Sequence, residues 1–139
     1  GLSSGIALAC EARAPDLQIR TAEPVGFDDM ARSLAAGSRQ RNVALSGSIC
    51  DAILTPTPGD LTFPILQRLA GIGAVVTDDQ ALRAMVLAFT HMRIVLEPGG
   101  AAALAAALFS DGLPDTVIAI ATGGNVDPAI FASALERFG

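Results

Sequence analysis

The chain has 139 residues, 51% of them hydrophobic and 17% charged, so it carries the apolar material for one core and is not a disordered segment. Only 4% of the residues are aromatic, and the aliphatic content is rich even for a unit that buries about 70% of its unfolded surface, so part of it is expected to lie against something else. The net charge is -5 and all nine basic residues are Arg, scattered from Arg13 to Arg137, which disfavours nucleic-acid binding; the absence of Lys removes side-chain amine chemistry such as Schiff-base formation.

Along the chain, short β-type runs alternate with helical runs, the pattern of an α/β layer structure. A glycine turn from Gly1 to Gly5 leads into an Ala-rich helix over 3–14, stopped by Pro15. A strand follows at 17–23, and Asp28 and Asp29 read as acidic first-turn residues of the next helix. Residues 37–59 contain two prolines and no clean period, so a loop is expected there, with a short turn near 49–53. A strand at 73–77 runs into Thr77, which with Gln80 makes a capping box for a helix reaching about His91. Leu82, Met85, Val86 and Phe89 give that helix one apolar stripe, expected to face the sheet. Residues 94–96 are a further strand candidate, and 100–109, nearly all Ala and Leu, have the composition of a buried helix. Residues 116–122 (TVIAIAT) have the continuous aliphatic character of a parallel strand covered on both faces, and Asp127 with Pro128 opens a last helix through Arg137.

Cys10 and Cys50 stand far apart in aliphatic surroundings, with no CxxC and a single His, so two buried thiols are expected rather than a disulfide framework or a zinc site. His91 reads as a helix-end residue facing the dipole. No run approaches the roughly 20 apolar residues of a membrane span, and the N-terminus has no signal-like pattern; a soluble, cytoplasmic protein is expected.

Four turns are placed to carry chemistry. Gly1 to Gly5 opens a helix, where free N–H groups either hold a phosphate or simply form an ordinary turn. Thr122-Gly123-Gly124-Asn125 lies between the most strand-like segment and a capped helix, at the edge where α/β ligand sites form. Glu97-Pro98-Gly99-Gly100 is a similar turn. Glu23 and Asp29 flank a turn whose carboxylates and carbonyls suit a hard cation; the alternative is helix-start acids.

Taken together, GLSSG at the start, AEPVGFDDMARSL at 22–34, SICDAI at 48–53, PGDLTFPIL at 58–66, EPGGAA at 97–102 and ATGGNVDP at 121–128 resemble, in this order, the serine/threonine dehydratase and serine racemase branch of fold type II pyridoxal-phosphate enzymes. The resemblance covers essentially the whole chain, and EPxGAA followed by GGNVDP is its most specific part.

The resemblance implies a three-layer α/β fold, a mostly parallel sheet with helices on both faces as in a tryptophan synthase β-like large domain. Residues 1–139 would be the C-terminal portion of that cofactor-binding domain, with the N-terminal portion and the small domain absent. It implies a dehydratase that converts a small hydroxy-amino acid to a 2-keto acid and ammonia with pyridoxal 5'-phosphate, a homo-oligomer as is usual in the family. Without its Schiff-base Lys the chain would be inactive alone, needing the missing N-terminal part, and prone to self-association through unpaired sheet edges. By position, Gly1 resembles the last glycine of the phosphate loop, so the amides of Gly1 and Leu2 would hold the phosphate. Thr122 matches the hydroxyl that meets the pyridine nitrogen, Gly123 and Gly124 let the backbone approach the ring, and Ala52 and Glu97 fall in the cofactor-binding set. Ala52 replaces a Gly of many relatives, and Gly99 a Ser or Thr. Glu23, Asp29 and the Phe27 carbonyl match the cation site of racemase-like members, for magnesium or calcium. The alternative to an enzyme is a non-catalytic α/β ligand-binding or regulatory module.

Overall fold

The computed structural model describes residues 1–139 and divides the chain into two units, Gly1–Leu45 with Thr55–Val75, and Ser46–Leu54 with Val76–Gly139. The first holds α1 (Leu2–Arg13), β1 (Ala22–Pro24), α2 (Asp29–Ala36), α3 (Thr62–Leu69) and the start of β2 (Ala74–Val76). β1 and β2 form a two-stranded sheet, preceded by a parallel bridge between Ile19 and Ala70. Gly71 N donates to Ile19 O at 2.8 Å and Ala74 N to Thr21 O at 2.7 Å. The strand expected over 17–23 is therefore realised as a bridge at Ile19 and a short ladder at 22–24.

α1 packs on α3, and Glu11 pairs with Arg68 across them. α3 carries Pro64 in its sequence, which masks it as a helix; the proline falls in the first turn, where its missing N–H costs no intrahelical bond. Phe63 and Leu66, three apart, are the residues it buries. Residues 37–59 are a loop with a 3-10 turn at Asp51–Ile53, as expected. The two arms of that loop are strapped together by Asn42 N donating to Pro56 O at 2.8 Å and Thr57 Oγ1 donating to Gln40 O at 2.8 Å.

The second unit holds the 3-10 turn, α4 (Asp78–Leu87) with a π-type turn over Ala88–Met92, α5 (Pro98–Phe109) and α6 (Pro128–Phe138). The capping box is complete: Gln80 N donates to Thr77 Oγ1 at 3.1 Å and Thr77 N to Gln80 Oε1 at 2.8 Å. α6 starts where Ala129 N donates to the Asp127 carboxylate at 2.7 Å, with Pro128 at the first helical position. The stripe of α4 is covered within its own unit. Leu82, Met85 and Val86 are buried where α4 packs on α5 and α6, and the Phe89 ring meets Phe131 edge-on at 5.3 Å. The reason is the alanine face of α5: Ala101, Ala102, Ala105 and Ala106 are buried, and side chains this small let helix axes approach closely.

Neither 94–96 nor 116–122 forms a strand. Val117, Ile118 and Ile120 are 44%, 71% and 43% exposed, so the most strand-like run of the sequence is bare. Its composition suits a ladder covered on both faces, but no other segment of this chain pairs with it. Cys50 is buried, Cys10 is half-buried, and both thiols are free. No helix is long and apolar enough to cross a membrane.

Close packing of α5 gives a direct test. Ala105 is fully buried whereas Leu108 is 48% exposed. Ala105→Leu is expected to destabilise by about 1–3 kcal/mol through overpacking, and Leu108→Ala to change stability by less, both read from urea denaturation followed by circular dichroism.

Candidate functional site

In the second unit two of the chemistry-bearing turns meet. Glu97 is the N-cap residue of α5 and Pro98 its first helical residue. Glu97 N donates to Gly123 O at 3.0 Å, Thr122 N to Gly100 O at 3.5 Å, and Asn125 N to Glu97 Oε2 at 3.2 Å. Backbone lies directly on backbone here. A side-chain carbon on Gly100 would overlap the Gly123 carbonyl, and one on Gly123 would overlap the Glu97 carboxylate. The glycines are required by this contact and not by a left-handed conformation, since neither has a positive φ. Thr122 ends exposed, and its hydroxyl makes no hydrogen bond within the chain.

Ala52 lies exposed on the 3-10 turn, beside the start of α5. A Cβ on Gly99 would sit 3.6 Å from the Ala52 methyl and 3.5 Å from Ile53, an ordinary contact distance. The segment leading into that turn is anchored by Asp78 in the first turn of α4: Ser48 Oγ donates to Asp78 Oδ1 at 2.6 Å and Ile49 N to Asp78 Oδ2 at 3.3 Å. Cys50 N completes the set by donating to Ser48 Oγ at 3.1 Å. This anchor gives no local signal in the sequence, because its partners are about 30 residues apart. Glu97, Pro98, Asn125 and Asp127 line one shallow cavity with Ile49 and Asp51.

In the first unit, Gly1 is the N-cap residue of α1 and makes no side-chain capping bond. Glu23, Phe27 and Asp29 are gathered around the turn between β1 and α2, which Gly26 makes with a φ of 82° and Phe27 N closes by donating to Pro24 O at 3.0 Å. Met30 N and Ala31 N donate to the two Glu23 carboxylate oxygens at 3.0 and 2.8 Å, so the acid that caps α2 is Glu23, seven residues back. Asp28 and Asp29 begin the helix as expected, but Asp28 makes no capping bond. Asp29 is buried and accepts from Asn42 Nδ2 at 2.7 Å and Thr55 Oγ1 at 3.3 Å.

Burial raises the Glu23 carboxyl to about 7 against the pull of its two backbone donors, and the charges of Asp29 and Asp28 add to the rise. Burial also raises Asp29, against the hydrogen bond from Asn42. No group of three or more His, Cys, Asp and Glu side chains is placed to hold a metal ion. The sequence-derived cation set is thus two carboxylates and a carbonyl, and every carboxylate oxygen in it already accepts a protein hydrogen bond, Asp29 Oδ1 accepting two. His91 is exposed at the end of α4, in keeping with a helix-end role.

A family model described as pyridoxal-phosphate dependent enzyme matches residues 1–123. Serine racemase from Dictyostelium discoideum is 38% identical over 141 residues, covering 98% of this chain and 43% of the racemase. The L-threo-3-hydroxyaspartate ammonia-lyase of Pseudomonas sp is 34% identical over 138 residues, covering 98% of this chain and 43% of that enzyme. Among solved structures, a threonine deaminase from T.th. matches with a TM-score of 0.86 and 37% identity over 91% of this chain and 43% of its own. The chain therefore spans about two fifths of the length of these relatives.

The Asp78 anchor can be tested through the thiol it shields. Burial pushes the Cys50 thiol up to about 11 against the Ser48 hydrogen bond, with the charges of Asp78 and Asp51 adding to the rise. A raised thiol pKa means stability present below the ordinary value near 9 and lost as pH rises through about 11, so at pH 8 the thiolate is suppressed. A disulfide reagent at pH 8 should label Cys10 in the native chain and Cys50 only on unfolding. Asp78→Ala should accelerate Cys50 labelling by about tenfold or more, the scale of a lost hydrogen bond to a charged group.

Proposed function

The chain belongs to the pyridoxal-phosphate-dependent enzymes, in the fold type II branch that contains serine/threonine dehydratases and serine racemases, and on that premise we propose that it is the C-terminal part of a hydroxy-amino-acid dehydratase. In this reading residues 1–139 are a portion of the large cofactor-binding domain, and the product is a 2-keto acid with ammonia. The observation that carries it is the exposed, unengaged hydroxyl of Thr122 at the start of a glycine turn. A hydroxyl facing the ring nitrogen leaves it largely unprotonated, where a carboxylate would hold a proton there. Thr122 in that place would favour loss of the β-hydroxyl once the cofactor supplies the electron sink.

When bound, pyridoxal 5'-phosphate supplies an aldehyde for the substrate amine and an electron sink for the α-carbon. The residues of this chain bind and orient. The amides of Gly1 and Leu2, at the positive end of α1, would offer donors to the phosphate. Gly123 and Gly124 would present bare backbone to the cofactor ring, Ala52 would border it from the 3-10 turn, and Thr122 would offer its hydroxyl to the ring nitrogen. None of the 139 residues is Lys, so the amine that anchors the aldehyde comes from the N-terminal part of the enzyme, and this chain alone is inactive.

The test compares this chain with the complete enzyme, each mixed with the cofactor and offered serine, threonine and 3-hydroxyaspartate. Keto acid is expected from the complete enzyme, and from the chain alone no more than free cofactor gives. Racemisation is the second reading, favoured by the identity to serine racemase; inversion of serine without keto acid would replace the dehydratase reading with it. Keto acid released by the chain alone well above free cofactor would overturn the lysine argument.

The turn between β1 and α2 is proposed as a magnesium or calcium site, formed by Glu23, Asp29 and the Phe27 carbonyl. The support is that two carboxylates, both raised by burial, flank one turn and the charge of Asp29 adds to the rise at Glu23, a cost that a hard cation would relieve. The complete enzyme should melt at a higher temperature with either ion than with chelator. Equal midpoints in all three conditions would remove the site.

A further inference from the structure

Resting on the reading of Thr122 given above, we infer that Glu97 is a positioning residue: its carboxylate holds the 122–125 turn in place and so aims the Thr122 hydroxyl, instead of touching the cofactor itself. Glu97 occupies the N-cap position of α5, yet its side chain makes no capping bond to its own helix. It reaches across to the neighbouring turn and accepts from Asn125 N at 3.2 Å. On the way it folds over Gly123, leaving no room there for a side-chain carbon.

Ser, Asp or Asn at an N-cap turns back onto the helix's own N–H groups. The additional methylene of Glu lets the carboxylate span to a second chain segment. The backbone of the same residue grips the turn from its other end, with Glu97 N donating to Gly123 O at 3.0 Å, and the contact of Gly100 with Gly123 closes the clamp.

The 122–125 turn needs such a clamp. The residues before it, 116–121, form no ladder with any segment of the chain, and α6 after it begins only at Pro128. Between them the turn is fixed by three hydrogen bonds to 97–100, and the Glu97 carboxylate accepts the one nearest its C-terminal end. The same carboxylate borders the cavity lined by Asn125 and Asp127, at the positive ends of α5 and α6, where a negative charge is favoured.

The test uses Glu97→Ala and Glu97→Gln, the second keeping one acceptor oxygen at the same reach. In this chain, amide hydrogen exchange at Asn125 should quicken by about tenfold or more in Glu97→Ala and return to near the parent rate in Glu97→Gln, while α4 amides keep their protection as a control for folding. In the complete enzyme, Glu97→Ala should shift the cofactor absorbance in the same direction as Thr122→Val and lower kcat more than it raises KM, with Glu97→Gln restoring both. Asn125 exchange unchanged in Glu97→Ala, or a spectrum equally altered in Glu97→Gln and Glu97→Ala, would overturn the positioning role. A Thr122→Val spectrum identical to the parent would instead remove the assignment of Thr122, whatever the exchange data at Asn125 say.

Discussion

Between Gly100 and Gly123 there is no space for a single side-chain carbon, and the second unit is organised around that contact. Two backbones approach until the carbonyl of one fills the place where a Cβ on the other would stand, and the hydrogen bonds of Glu97 and Thr122 run across the same gap. The consequence reaches in both directions along the chain. Toward α5 it seats the helix start against the turn, and the alanines that follow let α4 pack close beside it. Toward α6 it delivers Asn125 to the Glu97 carboxylate and Asp127 to its place as N-cap. A small-residue helix and a double-glycine turn are two parts of one steric solution, in which close approach is obtained by deleting side chains.

The first unit solves a different problem, the seating of a short helix after a tight turn. α2 has eight residues, too few to hold itself. Its open N–H groups are bonded by Glu23 from the preceding strand, and its buried Asp29 is bonded by Asn42 and Thr55 from the two arms of the long loop. Acidic side chains are thus drawn into partly dry surroundings where each serves as acceptor, and burial lifts their affinity for protons. A turn that concentrates carboxylates for structural reasons also becomes attractive to a cation, so the structural and ligand-binding readings of Glu23 and Asp29 share one electrostatic origin.

Both units show polar side chains reaching beyond their local element. Glu23 caps a helix seven residues ahead, Asp78 tethers a loop about 30 residues behind, and Glu97 bridges to Asn125 across 28. In each case a carboxylate meets backbone N–H groups that no ladder or helix satisfies. Such bonds place the turns on which Ala52, Thr122 and Gly123 stand, and they make the geometry of the candidate site depend on residues with no chemical part in a reaction.

Much of this was legible in the residues themselves. The capping box at Thr77, the Asp127-Pro128 helix start, the loop over 37–59 and the buried alanine helix follow from local rules of capping, turn chemistry and side-chain size, which act over a few residues and survive in any context. The order of the glycine and acidic motifs pointed to the family. Tertiary structure decided what local rules cannot reach. It packed α4 on α5 and α6, where apolar surface was available, and it made a helix of 62–69 because Pro64 falls where its missing N–H is harmless. It left 116–122 unpaired, because a strand needs a neighbouring backbone as well as an aliphatic composition, and hydrogen-bond partners far apart in sequence are a property of the folded chain.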